Sequence, residues 1–279
     1  MRYALGIEYD GRSFCGWQSQ AGGGAVQDSV EAALGIVADA PVRVVCAGRT
    51  DAGVHALEQV VHFDTESRRP DNAWVRGVNA HLPPSIAVRW AQGVPQDFHA
   101  RFSALGRRYR YLLLNRSQRP GLHAGRIGWY HHPLDATAMA RAAAMLLGEH
   151  DFSAFRSAEC QAKSPVRQLR VADVVRHGDV IVFDFAANAF LHHMVRNLVG
   201  ALVHIGKGGQ PAEWIVEILA SGDRRLAAPT FSAAGLYFAS VDYDPVWNLK
   251  GGADESPAQQ GGRAEFVLLA ATNGDTAFF

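Results

Sequence analysis

Long apolar runs are missing from this 279-residue chain, in which no stretch approaches the roughly 18 consecutive apolar residues that cross a bilayer. The opening MRYALGIEYD lacks the basic start and apolar segment of a secretion signal, so the cytoplasm is the expected location and no membrane partner is expected. Cysteine is scarce. Cys15, Cys46 and Cys160 are odd in number and far apart, which argues for reduced thiols rather than a disulfide framework. No CxxC or HExxH spacing occurs, and no metal is expected. The pairs His131-His132 and His192-His193 do not alter that, because neighbours in a regular strand or helix point in different directions.

Net charge is also lacking, with 27 Lys or Arg against 27 Asp or Glu. Taken alone, neutrality argues against a nucleic-acid protein. The distribution argues for one: Arg101 to Arg170 holds twelve basic and four acidic residues, and the rest of the chain holds 15 basic and 23 acidic. A basic middle of that kind suits a phosphate backbone. Composition leaves the alternative open, namely arginines scattered over a solvated face. The apolar share of 48% and charged share of 19% describe a folded chain with core enough for a cleft.

The hydrophobic pattern predicts a strand at RYALGIEYD, a helix over 25–38, and strands over 41–48, 59–65 and 85–92. A similar series starts again with a strand over 107–115 and a helix over 134–150. A hairpin turning at His177-Gly178-Asp179 follows, then helices from Ala189 to Ile205 and from Pro211, and a last strand over 235–243. Strands outnumber helices. The expectation is an α+β protein of two similar β-α-β-β halves, with antiparallel or mixed sheets flanked by helices. Its expected divisions are 1–105, 106–244 and a flexible tail over 245–279, with FVLLAATNGDTAFF able to dock or to stay loose.

AGRTDAGVHA (47–56) is the segment richest in chemistry. Gly48 and Gly53 bracket Arg49, Thr50 and Asp51, and glycines let another molecule approach closely. A carboxylate beside the fixed cation of Arg49 can act as nucleophile or general base. On these residues alone Asp51 reads better as a turn former binding its own backbone.

Three further features carry weight. YDGRSFCGWQSQ (9–20) mixes Phe14 and Trp17 with Gln18 and Gln20, which suits stacking on RNA and equally suits a loop with one aromatic in the core. RRYRY (107–111) sets Arg108 and Arg110 on one strand face for phosphates, with Tyr109 inward, or is a charged edge strand. In NAFLHHMVRNLVGALVHIG (188–206), Phe190, Met194, Leu198 and Leu202 form a core stripe, and Arg196 lies on another face, either paired with Asp51 or at the surface.

With these segments the chain resembles the bacterial tRNA pseudouridine synthase A family. GRTDAGVHA, the opening YDGRSFCGWQSQ, Phe98 to Arg101, RRYRY, GEHDFSAF (148–155), KSPVR (163–167), FLHHMVRN (190–197) and GLYF (235–238) occur in the family's order, across about residues 3 to 244. The resemblance implies the pseudouridine synthase fold, an active-site cleft between the halves, no cofactor, a homodimer, and tRNA as partner. It implies isomerisation of uridines at tRNA positions 38 to 40 of the anticodon stem-loop after base flipping. It makes Asp51 the nucleophile, Tyr109 the tyrosine that packs on the target base, Arg49 the arginine beside the nucleophile and Arg196 the arginine that pairs with it. Arg101, Arg108, Arg110, Lys163 and Arg167 are the remaining candidates for RNA contact. Attack at C1′, attack at C6 and a glycal route are all open to Asp51. Two other classes compete: a non-catalytic RNA-binding protein, which needs neither Asp51 nor Arg196, and a sugar hydrolase, which needs two catalytic carboxylates.

Overall fold

The computed structural model describes residues 1–251, which divide into two compact units. Among the described residues, one is Met1–Arg108 with residues 237–251, and the other is Tyr109–Leu236. The chain passes between units at 108/109, where the division was expected at 105/106, and the last strand, expected within 106–244, is grouped with the N-terminal unit. Among the described residues no helix is long and apolar enough to cross a membrane.

The first unit is a mixed sheet under two helices. Strand β1 (Arg2–Tyr9) runs antiparallel to both β3 (His55–Asp64) and β4 (Ile86–Val94), and β2 (Val44–Cys46) adds antiparallel to β3. The last strand, β10 (Leu236–Tyr243), lies parallel to β3 through Tyr237 and Phe238. Strand β1 is buried on both faces, Ala4 as fully as Leu5 and Ile7, where the sequence suggested simple alternation. Gly6 is needed there because Trp90 crosses over it: a Cβ would fall 2.0 Å from the indole nitrogen.

Helix α1 (Val26–Ala38) forms as expected, its start fixed by the Asp28 carboxylate accepting from Ala25 N and its end by Asp39 in the left-handed region. A second helix, α2 (Asp71–His81), was not expected. Only Trp74 and Val78 of its residues are buried, one i, i+4 pair too sparse to show as a stripe. Trp74 packs on Tyr3 and Phe63 at 5.3 and 5.1 Å between centroids.

Residues 245–251, expected at the head of a loose tail, pack on this unit. Trp247 meets Phe98 edge-on at 5.3 Å, Leu249 is buried, and Gln92 binds Asn248 O and Lys250 N through its amide. The rest of the expected tail, FVLLAATNGDTAFF included, lies outside the described residues.

In the second unit β5 (Ala104–Asn115, shared with the first), β9 (Val180–Ala187), β8 (Val166–His177) and β7 (Gly148–Asp151) follow one another across the sheet, and β6 (Gly128–Tyr130) adds parallel to β5. The β8–β9 hairpin closes at His177↔Val180 with Gly178 at φ 56°, where the sequence placed it. Helix α3 (Ala136–Ala144) stops short of the expected His150 because Gly148, at φ 100°, turns GEHD into β7 against β8. Helix α4 (Met194–Gly206) starts five residues later than expected. Asn188 Oδ1 accepts from Gln168 N and Ala189 N, holding the chain against β8, and His193 is left-handed at φ 63°. Phe190 therefore lies before the helix, outside the stripe of Met194, Leu198 and Leu202. Helix α5 (Trp214–Ser221) opens three residues after Pro211, whose carbonyl accepts from Trp214 N. Strands of both relative directions, with helices on them, make this the α+β fold that was expected.

Candidate active site

Asp51 sits in the loop 47–54 between β2 and β3, and that loop is braced at almost every residue. Gln59, on β3, holds Gly48 at both ends: Gly48 N donates to Oε1 at 3.3 Å, and Nε2 donates to Gly48 O. Thr50 is buried, its hydroxyl 2.8 Å from Tyr9 Oη and its carbonyl accepting from Trp17 N at 3.0 Å. Asp51 O accepts from Val54 N at 3.1 Å, and Gly53 takes φ 77° to close that turn. Gly16, at φ 107°, lies so close that a Cβ would come 2.7 Å from Thr50 O. Asp51 itself is half-buried and Arg49 is exposed. The result is a half-buried carboxylate on a fixed backbone, as nucleophilic or base catalysis requires.

The YDGRSFCGWQSQ segment contributes mainly to this bracing. Trp17 is buried against Tyr9 at 5.9 Å, so of the two readings open for this segment its ring takes that of the aromatic tucked into the core. Phe14 is half-buried, and Gln18 and Gln20 are exposed. Burial drives the Tyr9 phenol well above the ordinary range and pushes the Cys46 thiol up to about 12, the latter against the pull of Arg49, so neither ionises at neutral pH. His55, which ends GRTDAGVH, is buried and accepts Gly11 N at Nδ1 while its ring stacks on Tyr237 at 4.7 Å.

Arg107 was not singled out in the sequence, yet it links two segments. Its Nη2 donates to Ala47 O at 3.1 Å and to Arg101 O at 2.6 Å, and its Nη1 donates to Ala104 O at 3.2 Å. It thereby staples the start of the Asp51 loop to the turn that carries Arg101. Arg101 is exposed, with its guanidinium 5.7 Å from the centre of the Phe102 ring.

In the second unit Tyr109 is half-buried and meets Phe190 edge-on at 5.0 Å. Arg110 does not stand open to solvent as expected: its Nε donates to Asp184 on β9 at 3.0 Å, in an ion pair whose side chains are only 12% and 13% exposed. Both are inner residues of a sheet, so alternation along β5 does not imply an outer face. Arg108 is half-buried. Arg196 lies in the first turn of α4, where its Nε donates to Phe231 O at 2.9 Å and its own carbonyl accepts from Phe231 N. Lys163 is exposed. Arg167 is half-buried; its Nη1 serves Ser164 O and Val166 O, its Nε is dry and without a hydrogen bond, and desolvation lowers its pKa. The adjacent histidine rings do approach one another, at 4.0 Å for His131 and His132 and 4.1 Å for His192 and His193. The opposed directions expected of neighbours hold only inside regular elements, and these pairs lie outside them.

The family described as tRNA pseudouridine synthase matches residues 6–103 and 142–244. The chain is 67% identical over 249 residues to tRNA pseudouridine synthase A of Dechloromonas aromatica, covering 89% of this chain and 95% of that one. It is 62% identical over 251 residues to the protein of that name from Aromatoleum aromaticum, covering 90% and 95%. With that of Thiobacillus denitrificans the identity is 57% over 257 residues, covering 92% and 99%. A match over most of the chain, with the braced Asp51 loop inside it, shows that the chain belongs to the tRNA pseudouridine synthase family.

Proposed function

We propose that this protein isomerises uridine to pseudouridine in tRNA, at positions 38 to 40 of the anticodon stem-loop, working as a homodimer in the cytoplasm. The observation that carries the reading is the loop itself: Gln59, Tyr9, Trp17 and Gly16 fix the backbone around a half-buried Asp51. A turn former would need no such bracing. The reaction breaks the bond between N1 and ribose C1′, turns the uracil, and joins C5 to C1′, with the C5 proton lost and N1 protonated. Redox state and composition are unchanged, so the chain's own groups suffice. Asp51 is the nucleophile, Arg49 and Arg196 are the cations assigned to it, and Tyr109 packs on the target base. Extruding the base costs a few kcal/mol, which stacking at about 1–3 kcal/mol per base offsets.

The purified protein incubated with unmodified tRNA and no additive should form pseudouridine at positions 38 to 40, read by chemical mapping. Absence of product, or product elsewhere, refutes the assignment.

A further inference from the structure

Phe102 is a large aromatic side chain left 77% exposed on a turn that has little freedom. His99 Nδ1 accepts from both Arg101 N and Phe102 N at 3.2 Å, and His99 also exchanges hydrogen bonds with Ser103 through its main chain. Ala100 N donates to His62 Nδ1 at 3.1 Å, and Ala100 O accepts from Tyr243 Oη at 2.6 Å. Arg107 takes Arg101 O. Nearly every main-chain group from 99 to 103 is committed, so the ring is held out in the solvent rather than left there by a loose loop. It also has a stacked support, the His99 imidazole at 4.2 Å and 26°, which in turn rests on His62 at 4.7 Å. Burial keeps both imidazoles in their neutral forms at pH 7.

Exposure of that kind has a cost that a preordered contact recovers. We propose that Phe102 is a stacking platform for an unpaired base of the substrate RNA, with Arg101 beside it for the adjoining phosphate. The inference rests on the tRNA substrate proposed above. Three observations favour a nucleotide over an apolar protein surface. Arg101 lies against the ring at 5.7 Å, near the outer limit of about 6 Å for a cation–π contact, so it can turn to a phosphate and give the ring to a base. The turn begins the strongly basic part of the chain. Through Arg107 it is also tied to Ala47, at the root of the Asp51 loop, so a base on Phe102 is held in register with the catalytic segment.

The test uses the full-length protein and a synthetic anticodon stem-loop RNA, with wild type, Phe102→Ala, Phe102→Leu and Phe102→Trp. If wild type makes no pseudouridine, the tRNA reading itself fails. If it does, Phe102→Ala should weaken RNA binding by roughly 10- to 100-fold. Its single-turnover rate at saturating RNA should fall by less than its affinity does, since the ring acts first on binding. Phe102→Trp should bind as wild type, with its added fluorescence quenched by RNA, and Phe102→Leu should remain weak. Equal binding by the alanine variant overturns the proposal. So does full binding by Phe102→Leu, which would make the contact merely apolar, and so does a changed sedimentation mass for Phe102→Ala, which would make Phe102 a contact between protein copies.

Discussion

Gln59 closes both hydrogen bonds of the Gly48 peptide from eleven residues away, Gly48 N donating to its Oε1 at 3.3 Å and its Nε2 donating to Gly48 O. The side chain is fully buried, so this amide is positioned by the packing of β3, and it transmits that order to the loop of Asp51. Gln59→Leu keeps the volume and removes the clamp. Two peptide groups then lose their partner, at about 1–3 kcal/mol for each group left dry. The expected result is a lower melting temperature and a single-turnover rate reduced by roughly 10- to 100-fold, with RNA affinity near normal. A variant as fast as wild type would show that the loop does not depend on this clamp.

Asp51→Asn is nearly isosteric and leaves the bracing of Gly48 and Thr50 in place. Product formation should fall by at least roughly 10³-fold, about 4 kcal/mol of barrier, with tRNA binding and thermal melting unchanged. Near-normal turnover in a mapped-product assay removes Asp51 from the role of nucleophile.

Gly16→Ala tests the loop from its other side. An alanine there must hold φ near 107° and place a Cβ 2.7 Å from Thr50 O and 3.2 Å from Ala52 N. Backbone strain of about 1–3 kcal/mol adds to the displaced loop. Both stability and turnover should drop, and Gly22→Ala, where a Cβ meets nothing within 4 Å, should change neither. Equal melting curves for the two variants would contradict the close approach.

Much of this arrangement is legible in the sequence wherever one segment carries its own signal. The β8–β9 hairpin showed as two apolar runs around His177-Gly178-Asp179, and α1 showed as a stripe from Val26 to Leu34. The loop around Asp51 stood out through its glycines. What the sequence did not show are relations between distant segments. Gln59 and Arg107 look ordinary until β3 and β5 place them against Gly48 and Ala47. Trp17 could be read as a stacking or a core aromatic, because its burial depends on Tyr9, which reaches it only in the folded chain. Helix α2 was missed because its apolar face is two residues wide, and the early start given to α4 followed from a stripe that Phe190 joined only on paper.

Acid should weaken the first unit through His62. Burial lowers its pKa to about 4, with Arg2 and His99 adding to the effect and Asp64 opposing it. Between an unfolded value near 6.5 and about 4 the unfolded chain binds a proton that the folded one refuses, so stability falls as pH falls across that window. The slope is at most about 1.4 kcal/mol per pH unit for one proton, and His99, shifted the same way, steepens it. Below about pH 4 both states are protonated and this contribution stops changing. Melting temperatures of wild type and His62→Asn from pH 7.5 to 4.5 should diverge, the variant being flatter because its amide oxygen can accept Ala100 N without titrating. Parallel curves would rule His62 out as the acid-sensitive group.

The pair of Arg110 and Asp184 separates structural from RNA-binding arginines. Arg110 Nε meets Asp184 at 3.0 Å between β5 and β9, with both side chains nearly buried, so its charge is engaged within the sheet. Arg110→Ala should therefore act on stability: Asp184 loses a cation in a poorly solvated place, at a cost of about 1–3 kcal/mol or several degrees of melting temperature. The salt dependence of tRNA binding should stay within about half a unit of wild type, whereas a phosphate contact would take roughly one unit from the slope. Asp184→Leu should destabilise similarly, and the double variant Arg110→Ala with Asp184→Leu should cost less than the sum of the two, because the apolar pair leaves no charge to compensate. Thermal melting gives the cycle, and salt titration of tRNA binding gives the slope. Strictly additive stability effects, or a slope reduced by a full unit in Arg110→Ala, would place Arg110 on the RNA instead.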